Sequence, residues 1–186
     1  MAQFDSESIY VYQAYRPSIA DHAVAHQRFG GDFSFDRMSW IKPNFLWMMY
    51  RSGWATKDGQ ERILAVRVKR AFFDQLLATA VASSFAASGM ATHEAWRTAV
   101  ASSDVRLQWD PDHDPVGKSV DRRAVQLGLR GAALRRYGTE ALLSIEDITP
   151  LVAEQRANAL GDFSKLMVPQ ERPYLPSGVR SHVPEL

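Results

Sequence analysis

Two alternating segments constrain the fold most. Val105 to Trp109 (VRLQW) and Arg123 to Leu129 (RAVQLGL) each interleave apolar and polar residues. A period of two puts every second side chain on one face, the pattern of a half-buried strand. Between them runs DPDHDPVGKS, residues 110–119, whose Asp, Pro and Gly content reads as a loop. Three more segments read as strands: Ser8 to Tyr15 (SIYVYQAY), Ile63 to Val68 (ILAVRV) and Ala141 to Ile148 (ALLSIEDI).

Helical signals fall between these strands. Pro17 suits a first helical turn, and Gly30-Gly31 ends the run it opens. Pro43 suits the first position of a helix through Tyr50, with Ser52-Gly53 as its stop. Phe72 to Phe85 reads as a helix, Thr92 caps another, GAALRRY is a short one, and Thr149-Pro150 opens a last one to about Leu160. Strands in alternating pairs with helices interspersed predict a single α+β domain over 1–165, its mixed, mainly antiparallel sheet flanked by helices. Gly161, Pro169, Pro173, Pro176 and Gly178 punctuate the C-terminal stretch, so 166–186 is expected to be an extended or mobile tail.

Composition narrows the function classes. The 186 residues hold 22 Lys/Arg and 21 Asp/Glu, a net charge of +1, so any nucleic-acid site must be a local patch. With no cysteine there is no disulfide scaffold, thiol nucleophile or Cys-ligated zinc. The acidic, polar start MAQFDSESIY is not a signal peptide, and no apolar run approaches the ~18–20 residues needed to cross a bilayer. The expected compartment is the cytoplasm.

The richest functional signal is RMSWIKPNFLWMMYRSGW, residues 37–54, with three of the five tryptophans, three Lys/Arg and no acid. Cations meet phosphates and rings stack on bases, so such a stretch can floor a site for a flat anion. It can also be a packed helix with solvated ends. Pro43 divides it, and Trp47 is expected in the core. Ligand contacts are then expected from the two ends: Arg37, Trp40 and Lys42 on one side, and Tyr50, Arg51, Ser52, Trp54 and the nearby Lys57 on the other.

Other groups are weaker. Tyr12, Gln13, Tyr15 and Arg16 end the first strand, where binding groups are common, and Arg16 could grip a pyrophosphate with two N–H groups. Glu146-Asp147 ends the last strand; a carboxylate there could stabilise a developing cation, or Asp147 could cap the next helix. Asp110, Asp112, His113 and Asp114 are weak metal candidates. Asp at positions 1, 3 and 5 suggests a calcium loop, but Pro115 stands where that loop needs Gly. Gly117-Lys118-Ser119 lacks the earlier Gly of a phosphate loop, and His22 with His26 lacks a third ligand.

The segments VYQAYRPSIADHAV, RFGGDFSFDRMSWIKPNFLWMMYRSGW, RLQWDPDHDP, AVQLGLRG and SIEDIT together resemble the bacterial and fungal family known as domain of unknown function 4291. The resemblance spans roughly residues 8 to 170 and implies neither a fragment nor a fusion. It brings no activity and no catalytic residue with it.

The residues themselves suggest an enzyme acting on a nucleotide-containing ligand, in the manner of an ADP-ribosyltransferase with NAD as substrate. Arg16, Tyr12 and Glu146 would be catalytic. One alternative is a nucleic-acid-binding module using the basic and aromatic surface. A second is a metal-assisted hydrolase at the DPDHD segment.

Overall fold

A computed structural model of the chain describes residues 1–176. The elements run β1 (Ser8–Tyr15), α1 (Pro17–His26), β2 (Ser39–Ile41), α2 (Phe45–Ser52), β3 (Arg62–Lys69), α3 (Arg70–Thr79), β4 (Val81–Ala82), α4 (His93–Ser102), β5 (Val105–His113), β6 (Ser119–Leu129), α5 (Gly131–Thr139), β7 (Leu142–Asp147) and α6 (Thr149–Ala159). They form an α+β fold with two sheets. One has the order β1-β3-β7 and is antiparallel; the other is β2-β6-β5-β4, with β4 parallel to β5. Among the described residues no helix is long and apolar enough to cross a membrane.

The central strand of the first sheet explains its own sequence. Leu64, Val66 and Val68 face a core shared with Ile9, Val11, Leu127, Leu129, Phe73 and Leu134. Ile63 and Ala65 face a second core, filled by Phe45, Met48 and Met49 of α2 and Val152 of α6. A strand buried on both faces reads as a continuous apolar run, which holds for Ile63 to Val66; Arg67 breaks it where the strand end opens to Asp5 and Ser8.

Three expectations change. The helix expected over 72–85 stops at Thr79, because Val81-Ala82 pairs with Arg106-Leu107. The expected loop 110–119 is half strand: Asp110 to His113 pairs with β6, and only the tip turns. Pro111 is tolerated there because β4 pairs only with Arg106 and Leu107, leaving that edge without a partner strand. The helix expected from Pro43 begins at Phe45, with Asn44 as its N-cap.

The described part of the tail is extended but pinned. Arg172 and Ala2 exchange backbone hydrogen bonds of 2.9 Å, and Tyr174 packs edge-on against Phe4 and Phe73. The Glu171 carboxylate accepts from the Phe45 N–H at 2.6 Å and so caps α2. Burial pushes the Glu171 carboxyl up to about 7, opposed by the hydrogen bond from Phe45. The expected break at Gly178 lies outside the described residues.

Candidate functional site: a cationic cleft between the sheets

Strand β1 carries the core face into a polar site. Ile9 and Val11 are in the core, and the next residues on the same face are Gln13 and Tyr15. Gln13 is buried and held in one orientation. Its oxygen accepts from the Tyr137 hydroxyl at 2.6 Å, and its amide donates to the Tyr15 hydroxyl at 2.6 Å and to Ser39 Oγ at 3.1 Å. The Tyr15 and Ser39 hydroxyls lie 3.0 Å apart. One of their two protons serves that bond, which leaves the other hydroxyl free to donate. Burial raises the Tyr15 and Tyr137 hydroxyls above the usual tyrosine range, so both stay protonated.

This network floors a cleft of about 760 Å³. Arg16, Arg37, Lys42 and Arg51 line it, with Trp40 and Trp47 as aromatic walls. Gln108 and Gln126, cross-strand neighbours on β5 and β6, complete the far side. Both donate to the Asp110 carboxylate, at 2.8 and 2.6 Å, which fixes their amides. Asp58 is the acid on the lining. None of the four cations has a carboxylate at ion-pair distance among the described residues. The buried Trp47 indole N–H has no acceptor there either.

Trp40 depends on a glycine. It pairs with Gly128 of β6, where an added Cβ would come within 3.0 Å of the indole and 2.7 Å of Met38 Sδ. Only a residue without a side chain lets the ring lie across that strand.

Lys42 differs from its neighbours. It is 5% exposed, whereas Arg16, Arg37 and Arg51 are exposed. Its carbonyl accepts from the Tyr12 N–H at 2.7 Å, and its Nζ sits 4.2 Å above the centre of the Trp47 ring. Burial, with Arg51 close by, lowers its pKa to about 7, while Asp110 pulls the other way. The indole face also favours the ammonium, by about 0.5–2 kcal/mol. That is less than the ~5 kcal/mol equivalent to the shift, so it moderates the effect without cancelling it.

The remaining expected ligand groups serve packing. Tyr50 stacks on His113 at 3.6 Å. The buried Ser52 hydroxyl donates to the Met48 carbonyl, and the Trp54 indole donates to the Pro115 carbonyl. Lys57 Nζ donates to the Tyr50 and Arg51 carbonyls, closing the C-terminal end of α2. So α2 reaches the cleft through Trp47, Met48 and Arg51.

The expected catalytic residues separate. Arg16 lines the cleft, but Tyr12, Ala65 and Glu146 form one cross-strand row. That row lies on the sheet face opposite Gln13, because one residue along a strand reverses the face. Tyr12 is buried against Phe45, its hydroxyl 3.3 Å from Gln3, and Glu146 is exposed outside the cleft. Asp147 pairs with Arg62 and accepts from Thr149, so it anchors the start of α6.

The metal candidates are engaged elsewhere. Asp110 holds the two glutamines, Asp112 pairs with Arg122 at 2.7 Å, and Asp114 accepts from Val116 and Lys118 in its own turn. Among the described residues no cluster of three or more His, Asp or Glu side chains is placed to hold a metal.

Gln13 and Tyr15 are expected binding groups at the end of the first strand, whereas sequence reasoning missed Ser39, Gln108 and Gln126. Gln13 carries a signal, a polar group in the apolar phase set by Ile9 and Val11, but Gln108 and Gln126 sit in the polar phase of their strands and read as solvated positions.

An α+β domain with a cationic, tryptophan-walled cleft between two sheets is thus the class that fold and site define. The chain belongs to the family described as Domain of unknown function (DUF4291), which matches residues 1–174. No curated protein matches it.

Proposed function

We propose that the chain is an enzyme acting on a nucleotide-containing ligand held in this cleft. One observation carries the proposal: four cations that have no acid partner among the described residues share a single concavity with one acid and two tryptophans. Cations and a free hydroxyl donor suit phosphate oxygens, and the indoles suit a base or nicotinamide ring. A volume of about 760 Å³ suits a small ligand better than a duplex.

NAD is one candidate ligand. Chemistry of the ADP-ribosyltransferase kind needs a carboxylate beside the ribose, and Asp58, rather than Glu146, is the acid on the lining. Nucleotide binding does not depend on that chemistry.

Tryptophan fluorescence tests the proposal. ATP and NAD should quench wild-type emission with saturation, and Arg51→Ala should weaken the effect about tenfold. An oligonucleotide that quenches better than either, with affinity falling steeply in salt, would favour the nucleic-acid-binding alternative. No quenching by any of the three would refute both.

A further inference from the structure

We propose that Lys42 is a nucleophile, and that the chain forms a covalent nucleotidyl-lysine from a nucleotide phosphoanhydride; this rests on the nucleotide-binding function proposed above. The contrast within the cleft carries the argument. A cation that only attracts phosphate can stay in water, as Arg16, Arg37 and Arg51 do. Lys42 is buried instead, on a backbone tied to β1 and against an indole face. Its Nζ has no carboxylate at ion-pair distance among the described residues.

Burial of this kind is how a lysine becomes a neutral amine, the form that attacks electrophiles. The lowered pKa agrees with that geometry. Arg51 disfavours the ammonium and Asp110 favours it, while Arg16, Arg37 and Asp58 are the other charged groups on the cleft lining.

In the step itself, the Nζ lone pair attacks the α-phosphorus. An N–P bond forms as the P–O bond to the neighbouring phosphate breaks. The leaving group departs with the bonding electrons, as pyrophosphate from a triphosphate or nicotinamide mononucleotide from NAD. One amine proton passes to solvent. The three arginines line the same cleft, where they would stabilise the negative charge that accumulates on the phosphate oxygens. A second nucleophile attacking the same phosphorus would return the amine and carry away the nucleotidyl group.

The full chain should be incubated with magnesium and each of the four ribonucleoside triphosphates labelled at the α-phosphate, or with NAD labelled in its adenylyl phosphate. The protein is then denatured and analysed by gel and peptide mass spectrometry. The expected result is one label per chain on Lys42, stable in alkali, released by mild acid and absent with γ-labelled triphosphate. The triphosphate and NAD arms identify which anhydride is the source. Lys42→Arg replaces the amine with a guanidinium that cannot act as the nucleophile, so it should take no label. Lys42→Met, with its fold checked by thermal melting, should also take none.

Label on another residue, label that persists in Lys42→Arg, or label from the γ-phosphate would overturn the proposal. So would nucleotide binding without any adduct, which leaves the nucleotide site standing. Absence of binding would remove both.

Discussion

Two sets of arginines in this chain stand in contrast. In the first, each has its partner. Arg122 pairs with buried Asp112, Arg62 with Asp21 and Asp147, and Arg67 with Asp5. Arg106 and Arg130 donate to the carbonyls of Val100 and Ser103 at the end of α4, where cations complement the helix dipole. In the second group, Arg16, Arg37 and Arg51 share the cleft with Lys42 and have no acid partner among the described residues. A net charge of +1 hides this difference. Pairing builds the fold, while cations left without acids in one concavity make a local field that a global count cannot reveal.

Mutations should separate the two groups. The largest effect is expected from Arg122→Ala, which leaves Asp112 buried without its cation. Urea unfolding should show a loss of about 2–3 kcal/mol, with nucleotide affinity unchanged. Arg37→Ala should do the reverse: affinity falls about tenfold, or ~1.4 kcal/mol, while stability moves by less than ~0.5 kcal/mol. Lys57→Met removes a helix-end contact outside the cleft. It should cost about 0.5 kcal/mol of stability and leave ligand titrations unaltered. If Arg37→Ala unfolds the chain or Arg122→Ala abolishes binding, the division fails.

The last test reads a slope with pH rather than a single loss. The Glu171 carboxyl is raised from 4.5 to about 7 in the folded chain, so between those values the folded state holds a proton that the unfolded state has lost. Stability from this group therefore falls as pH rises through that window and is flat above it. Glu171→Gln keeps an acceptor for the Phe45 N–H but cannot titrate. Thermal melts from pH 4.5 to 7 should show a shallower decline for it than for wild type, and equal slopes would exclude the effect.

Much of the fold was legible because burial leaves a period. ILAV, residues 63–66, is apolar throughout because both its faces are covered, and VRLQW pairs with RAVQLGL in register from Val105 opposite Leu129. Pro43 divides the tryptophan-rich segment, and Trp47 is 8% exposed. The site was only half legible. Tyr12 and Gln13 are adjacent polar groups on one strand, and nothing local says which face meets the cleft. That single parity puts Tyr12 and Glu146 on the far side. The ends of α2 were equally ambiguous: Arg51 reaches the cleft while Tyr50, Ser52, Trp54 and Lys57 hold the helix. Tyr50 and Trp54 turn toward the hairpin tip at His113 and Pro115, which is far away in the chain.

The central claim is that cations without acid partners form a phosphate site. Calorimetric titration of inorganic pyrophosphate into wild type and into the Arg37→Ala, Arg51→Ala double variant tests it most directly. The account predicts one saturable site in wild type, weakening as salt rises, and at least a hundredfold loss in a variant that still melts like wild type. No binding by the wild type, or equal affinity in the two proteins, would contradict it.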